Sequence, residues 1–163
     1  MKATADATEI AEAVKAGKVT ARAVTEAALK RIERHNPMLG AFTDVTAERA
    51  LEQAELVDSK ISNAMDPGPL AGVPFAVKNL YDIKGIPTRA GSKINRDNPP
   101  AARDATLVTR LEAAGAVLLG GLNMDEYAYG FTGENAHDGP SRNPHGLDHM
   151  TGGRAIFGSG PGA

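Results

Sequence analysis

Cysteine is absent from this 163-residue chain, which removes disulfide frameworks, thiol nucleophiles and thiolate zinc sites together. Tryptophan is absent as well. Net charge is only −2 at neutral pH, so there is no positive surplus for a sequence-independent grip on nucleic acid, and no direct nucleic-acid partner is expected. Long apolar runs are missing too: none approaches the ~18 residues that a membrane span needs, and no membrane partner is expected. Met1-Lys2-Ala3-Thr4-Ala5-Asp6 lacks the apolar core of a signal peptide, which makes a cytoplasmic location the expectation. What is present is a globular balance of 42% hydrophobic and 23% charged residues, on a length that fits one domain with a real core.

Alanine and glycine are distributed unevenly. Most of the 28 Ala precede residue 117, whereas 9 of the 18 Gly fall between Gly130 and Ala163, which predicts a helix-rich front and a loop-rich tail. Asp6, three residues before Glu9, resembles a capping box, and Ile10, Ala13 and Val14 then form one apolar face that Gly17 brings to an end. Thr20 caps a second predicted helix with Val24, Ala28 and Ile32 on its face, ending near Asn36-Pro37 because proline disfavours helical geometry in the residue before it. Ala41-Phe42-Thr43 reads as a short strand. Thr46 to Ile61 reads as a third helix with Ala47, Ala50, Leu51, Ala54 and Val57 facing inward, and Asp66-Pro67-Gly68-Pro69 breaks the chain after it.

The period then changes. Leu70 to Val77 is a short apolar run that delivers Lys78 at its end. Asp104 is placed to cap a fourth helix with Leu107, Val108, Leu111 and Ala114 as its buried stripe and Gly115 as its stop, and Ala116 to Gly120 reads as a buried strand. The strand–helix–strand order predicts an α/β fold with a parallel or mixed sheet.

Lys78 carries the chemical interest. A lysine closing an apolar strand is either a snorkelling surface residue or a desolvated amine. In the second case it loses its charge more easily and can accept a proton from a serine, provided a hydroxyl partner and oxyanion donors are supplied. Rival sites are weaker. His137, His145 and His149 with Asp138 and Asp148 offer metal-ligand types without fixed geometry, since Pro144 and Gly146 prevent a shared helical face for His145 and His149, and no metal is expected. Asp125 and Glu126 are adjacent and so point different ways on a helix, Tyr127 and Tyr129 read as packing residues, and Ser92 and Ser141 lie in loops that can meet a ligand. The Ala-rich faces from Ile10 to Val14 and from Val24 to Ile32 either cover the sheet or dock a helical partner.

Several segments resemble one family in register. Pro69-Leu70-Ala71-Gly72-Val73-Pro74-Phe75-Ala76-Val77-Lys78-Asn79 is similar to the PLxGxPxxVKD/N segment of the amidase signature family. Gly120 to Gly130, GGLNMDEYAYG, resembles its GKTNMDEFAMG-like segment. Thr132-Gly133-Glu134-Asn135, Gly139-Pro140-Ser141-Arg142-Asn143-Pro144 and Thr151-Gly152-Gly153 follow in the family's order. Val77-Lys78-Asn79-Leu80 and Gly91 to Arg96 most resemble the biuret- and carboxybiuret-hydrolase branch. The resemblance to the A-type component of the tRNA-dependent amidotransferases is more distant.

The resemblance implies the amidase-signature fold, a mixed sheet covered by helices on both faces, of which this chain would be the N-terminal portion. It implies a Ser–cis-Ser–Lys triad with Lys78 as general base, amide C–N cleavage of a small urea- or biuret-like or carboxamide substrate through an acyl-enzyme, and no cofactor. It also implies Met124, Asp125, Gly152 and Gly153 as substrate-binding candidates, and it permits a partner in the form of a small accessory subunit. In the family Gly152-Gly153 would be followed by Ser-Ser-Gly-Gly-Ser, whereas here Arg154-Ala155-Ile156-Phe157 leads into a Gly-rich end. The expected division is therefore residues 1–153 as part of an amidase-signature domain and 154–163 as a divergent tail. The chain alone is expected to be truncated, inactive and poorly soluble, with Ala116 to Leu119 as an unpaired edge. The alternatives are a non-catalytic partner-binding remnant and an amidotransferase A-type subunit.

Overall fold

The computed structural model describes residues 5–150, so Gly152, Gly153 and the expected 154–163 tail lie outside the described residues. The chain divides into two units, the first made of residues up to Lys30, Thr46–Phe75 and Thr106–Leu119, the second of Arg31–Val45, Ala76–Ala105 and the chain from Gly120 onward.

The first unit is helical. In α1 (Ala7–Lys15) the capping box is complete, with Glu9 N–H donating to Asp6 Oδ1 at 2.8 Å and Asp6 N–H donating to Glu9 Oε2 at 3.0 Å. Ala11 and Val14 are its buried residues, whereas Ile10 and Ala13 are half-buried. At the start of α2 (Ala21–Leu39) Thr20 Oγ1 accepts from Ala23 N–H at 3.0 Å. From α3 (Ala47–Ser62) the Asp58 carboxylate accepts from Ala21 N–H at 2.7 Å and Arg22 N–H at 3.0 Å, which places negative charge at a helix N-terminus. Val24 and Ala28 of α2 and Ala50, Ala54 and Val57 of α3 are buried, so the apolar faces proposed for docking are largely covered within the unit. Ala47 is exposed, against expectation, because it opens the helix on its solvent side. Likewise only Val108 of the expected stripe is buried in α4 (Thr106–Ala113), and Leu107 is 50% exposed. This helix starts two residues after Asp104, whose Oδ1 accepts from Lys84 N–H at 2.9 Å.

Three strands, β1 (Phe42–Val45), β2 (Pro74–Lys78) and β3 (Val117–Leu122), form a sheet in the order β1-β3-β2. β1 is antiparallel to β3, pairing Phe42 with Leu122 and Val45 with Gly120. Val117 N–H donates to Val73 O at 2.8 Å and Asn79 N–H to Leu122 O at 3.0 Å, so β2 and β3 advance together and are parallel. The mixed sheet is as expected; the exposed edge is not. In the first unit Val117 bonds to Val73 on one side, while Thr46 N–H (2.9 Å) and Thr46 Oγ1 (3.1 Å) donate to Leu119 O and Leu118 O on the other. All six residues of β3 are buried, as a central strand requires.

The second unit holds the loops. α2 runs on through Pro37 to Leu39 instead of ending before it. Its last turn is closed by Gly40, at φ +58° and donating to Asn36 O at 2.8 Å, while Asn36 brackets Phe42 by accepting from its N–H (2.7 Å) and donating to its O (3.0 Å). These bonds outweigh the local proline preference. Beyond β3 come a 3₁₀ turn (Glu126–Ala128) and two short hairpins, β4 (Glu134–Asn135) with β5 (Gly139–Pro140) and β6 (Arg142–Asn143) with β7 (Gly146–Met150).

Candidate active site

Pro74 opens β2, where a missing N–H is tolerated, and the apolar Phe75-Ala76-Val77 run extends it to Lys78. Lys78 is half-buried at the strand's C-terminal end, and its carbonyl accepts from Tyr81 N–H at 3.0 Å as the chain turns away. No hydrogen bond or ion pair engages its amine among the described residues.

The residue after it does the fastening. Asn79 is buried; its Oδ1 accepts from Gly91 N–H at 2.8 Å, its Nδ2 donates to Thr43 Oγ1 at 3.1 Å, and its carbonyl accepts from Ala90 N–H at 3.0 Å. Thr43 Oγ1 in turn donates to Asp44 Oδ2 at 2.9 Å, and Asp44 Oδ1 accepts from Arg89 Nη2 at 2.8 Å. Gly91 is at φ +67°, and a Cβ there would lie 2.9 Å from Met124 O and 3.0 Å from Asn135 Nδ2, so only glycine fits. On its other side, Asn135 Nδ2 donates to Gly91 O and Met124 O, both at 2.7 Å, while Asn135 Oδ1 accepts from His137 N–H (2.7 Å) and Asp138 N–H (2.9 Å). Asn123 completes the set: Nδ2 donates to Gly40 O (3.0 Å) and Gly139 O (2.9 Å), and Oδ1 accepts from Met124 N–H at 2.8 Å. Three buried amides thus join the loops that follow β2 and β3 to the β4–β5 hairpin. Sequence reasoning overlooked all three. The available signal was a polar residue directly after an apolar strand, at Asn79 and again at Asn123.

Met124 is fully buried and Asp125 is 4% exposed, so both substrate-binding candidates point into the unit; the Asp125 carboxylate accepts from Gly133 N–H at 3.1 Å. Glu126 does not act with Asp125. Its Oε1 accepts from the buried Ser92 hydroxyl at 2.6 Å and lies 3.3 Å from His137 Nε2. The Ser92 bond holds the Glu126 carboxyl below the ordinary carboxylate range, desolvation opposes this, and His137 adds to it. Tyr127 and Tyr129 are 55% and 95% exposed, contrary to a packing role. Tyr127 at φ +52° and Ala128 at φ +60° both occupy the left-handed region, which costs about 1–2 kcal/mol per residue. The turn is held by Tyr127 N–H donating to Ala90 O at 2.8 Å and Asn95 Nδ2 donating to Tyr127 Oη at 3.1 Å.

Ser141, buried, donates to Gly40 O at 3.2 Å. Asp138 pairs with Arg96 at 2.6 Å, and His145 N–H donates to Asn143 Oδ1 at 2.9 Å. Among the described residues no group of three or more His, Cys, Asp or Glu side chains is arranged to hold a metal ion. Among them also, no helix is long and apolar enough to cross a membrane.

The chain is similar to several known proteins. AtzE, the 1-carboxybiuret hydrolase subunit of Pseudomonas sp. (strain ADP), is 55% identical over 89% of this chain and 32% of its own length. The A subunit of glutamyl-tRNA(Gln) amidotransferase from Bdellovibrio bacteriovorus is 45% identical over 91% of this chain and 30% of its own. The chain therefore spans about a third of the length of the curated relatives it matches. Among solved structures, one described as a vestigial protein complex that reveals the evolutionary origins of an s-triazine catabolic enzyme superposes with a TM-score of 0.91 at 52% identity, over 95% of this chain and 34% of that one. A bacterial aryl acylamidase of the amidase signature family superposes at 0.82 with 32% identity, over 91% of this chain and 31% of that one. The Amidase family profile itself matches residues 23–159. With a match over most of its length and relatives that share both sequence and backbone, the chain belongs to the amidase family.

Proposed function

We propose that this chain supplies the lysine base of a hydrolase that cleaves a C–N bond in a small urea- or biuret-like amide. The observation that carries the reading is the position of Lys78, half-buried at the end of β2 beside the buried Asn79, in a chain 55% identical to a 1-carboxybiuret hydrolase subunit. In the proposed reaction the Lys78 amine takes a proton relayed through a bridging serine from a nucleophilic serine hydroxyl. The serine oxygen attacks the amide carbonyl, the tetrahedral intermediate expels the amine with that proton, and water hydrolyses the acyl-enzyme. Residues 1–153 belong to the amidase domain in this reading, 154–163 diverge from it, and the protein acts in the cytoplasm. Arg154 stands where the bridging serine belongs, so the 163-residue chain alone is read as inactive.

The test starts with the nucleotide sequence from the Thr151 codon onward. A shifted frame encoding Gly-Gly-Ser-Ser-Gly-Gly-Ser and a later Gly-Ser-rich segment is expected. The protein read through that frame should release ammonia from carboxybiuret and lose the activity with Lys78→Ala, while the 163-residue product shows none. Lys78-dependent turnover by the verified 163-residue product would overturn the reading of inactivity; no frame restoring the serines would overturn the hydrolase reading. A second reading, association with an accessory subunit, is favoured by the relatives' own names, since both are described as subunits. Co-purification of a small partner with the chain, unaffected by Lys78→Ala, would support it.

A further inference from the structure

We propose that Asn79 and Asn135 are positioning residues that hold the Lys78 end of β2 by gripping the two faces of one loop residue, Gly91. Asn79 Oδ1 takes the Gly91 N–H (2.8 Å) and Asn135 Nδ2 reaches the Gly91 carbonyl (2.7 Å), so a single residue is fixed at both its polar groups by buried side chains. Both clamps are 4% exposed, where a lost partner is not replaced by water and the cost falls on the group left behind. Because Asn79 directly follows Lys78, and its own N–H donates to Leu122 O at 3.0 Å, any slack at Gly91 passes to the last residue of β2. The same Asn135 Nδ2 binds Met124 O, and Ala90 O takes the Tyr127 N–H, so the loops after β2 and β3 are tied to one crossing point. The two amides have distinct duties: Asn79 needs an acceptor toward Gly91, whereas Asn135 needs a double donor.

The inference rests on Lys78 being the base, but its test needs no turnover. Hydrogen exchange of the full 163-residue chain is followed at the Gly91 and Tyr127 amides, with the Leu70 and Val117 amides of the first unit as the measure of global opening. In parallel, acetic anhydride labelling of Lys78 is read relative to the exposed Lys84 and Lys93. In the unaltered chain Gly91 is expected to be protected. Asn79→Ala should speed Gly91 and Tyr127 exchange about tenfold while leaving Leu70 and Val117 unchanged. It should also change the Lys78 labelling ratio by about threefold. Asn79→Asp, which retains the acceptor toward Gly91 but gives up the donor to Thr43 Oγ1, should keep Gly91 exchange within about twofold of the unaltered chain.

Exchange of Gly91 at the free-peptide rate in the unaltered chain would overturn the clamp without any variant. Equal acceleration of Leu70 and Val117 in Asn79→Ala would reduce Asn79 to a general structural residue. A loosened Gly91 with an unchanged Lys78 ratio would show that the clamp does not reach the lysine. If Asn79→Ala does not fold, Asn135→Ala removes the grip from the opposite face and must give the same local pattern. Failure of the hydrolase assay with these exchange results intact would count against the base assignment and not against the clamp.

Discussion

In the first unit the buried side chains are overwhelmingly Ala, Val and Leu from four helices and the start of β3, and Thr25 is its one buried polar residue among those described. The second unit contains Asn79, Ser92, Asn123, Asp125, Asn135 and Ser141 as buried polar residues, against Ala41, Ile83, Leu122 and Met124 as buried apolar ones. One unit is stabilised by area removed from water, a force without direction; the other by hydrogen bonds that specify distance and angle. The division follows from secondary structure. Helices satisfy most of their own backbone groups, a central strand has its backbone groups satisfied by its neighbours, and both bring apolar faces together, whereas loops leave N–H and C=O groups for side chains to satisfy. The residue proposed as the base lies in the directional unit, where the geometry of neighbouring loops is fixed bond by bond.

That contrast can be broken or sharpened by substitution. The largest effect is expected at Leu118, fully buried in the first unit: Leu118→Ala should lower the unfolding free energy by about 3 kcal/mol, read as a drop in the urea midpoint. A loss below about 1 kcal/mol would mean that the unit collapses around the cavity and its packing is less specific than described. In the second unit Asn123→Leu keeps the number of side-chain heavy atoms but strands Gly40 O, Gly139 O and Met124 N–H, and should cost about 2 kcal/mol. Were this substitution neutral in the same urea experiment, the directional account of the unit would fail. A change in the opposite sense is expected at Thr25, whose buried Oγ1 has no hydrogen-bond partner among the described residues: Thr25→Val should raise stability by up to about 1 kcal/mol.

The smallest effect concerns pH. The Ser92 hydroxyl, ahead of His137 and against desolvation, lowers the Glu126 carboxyl below its ordinary range in the folded chain. Because the folded value is the lower one, the stabilisation is present above the pH at which an unfolded glutamate titrates and is lost as pH falls through the folded value. Ser92→Ala should flatten that acid-side dependence, measured as melting temperature against pH, and lower stability at neutral pH through the lost bonds to Glu126 and Ile94 N–H. An unchanged acid limb would show that another carboxyl carries it.

Legibility in the sequence followed the same divide. The Asp6–Glu9 capping box, the Thr20 cap, the strand ending at Lys78 and the buried run from Val117 were all readable, since each depends on near neighbours or on a simple apolar period. The errors fell where hydrogen bonds and turn geometry overrode local preference. Pro37 stays within α2 because Gly40 and Asn36 close the turn behind it. β3 is a central strand because Thr46 and Val73 approach it from opposite sides. Tyr127 and Tyr129 point outward because the chain turns through two left-handed residues that nothing in the local composition demands.

By itself, then, the sequence determined the helices, the caps at Asp6 and Thr20, the family and the lysine at the end of a strand, because periodicity, capping and motif order are written in consecutive residues. Only the tertiary structure decided what surrounds that lysine. Asn79 meets Thr43 and Gly91, 36 and 12 residues away, and Asn135 meets Gly91 across 44 residues. An amide side chain carries both donor and acceptor and can serve many partners. Which ones it serves depends on which backbone groups the loops leave unpaired once the strands have formed.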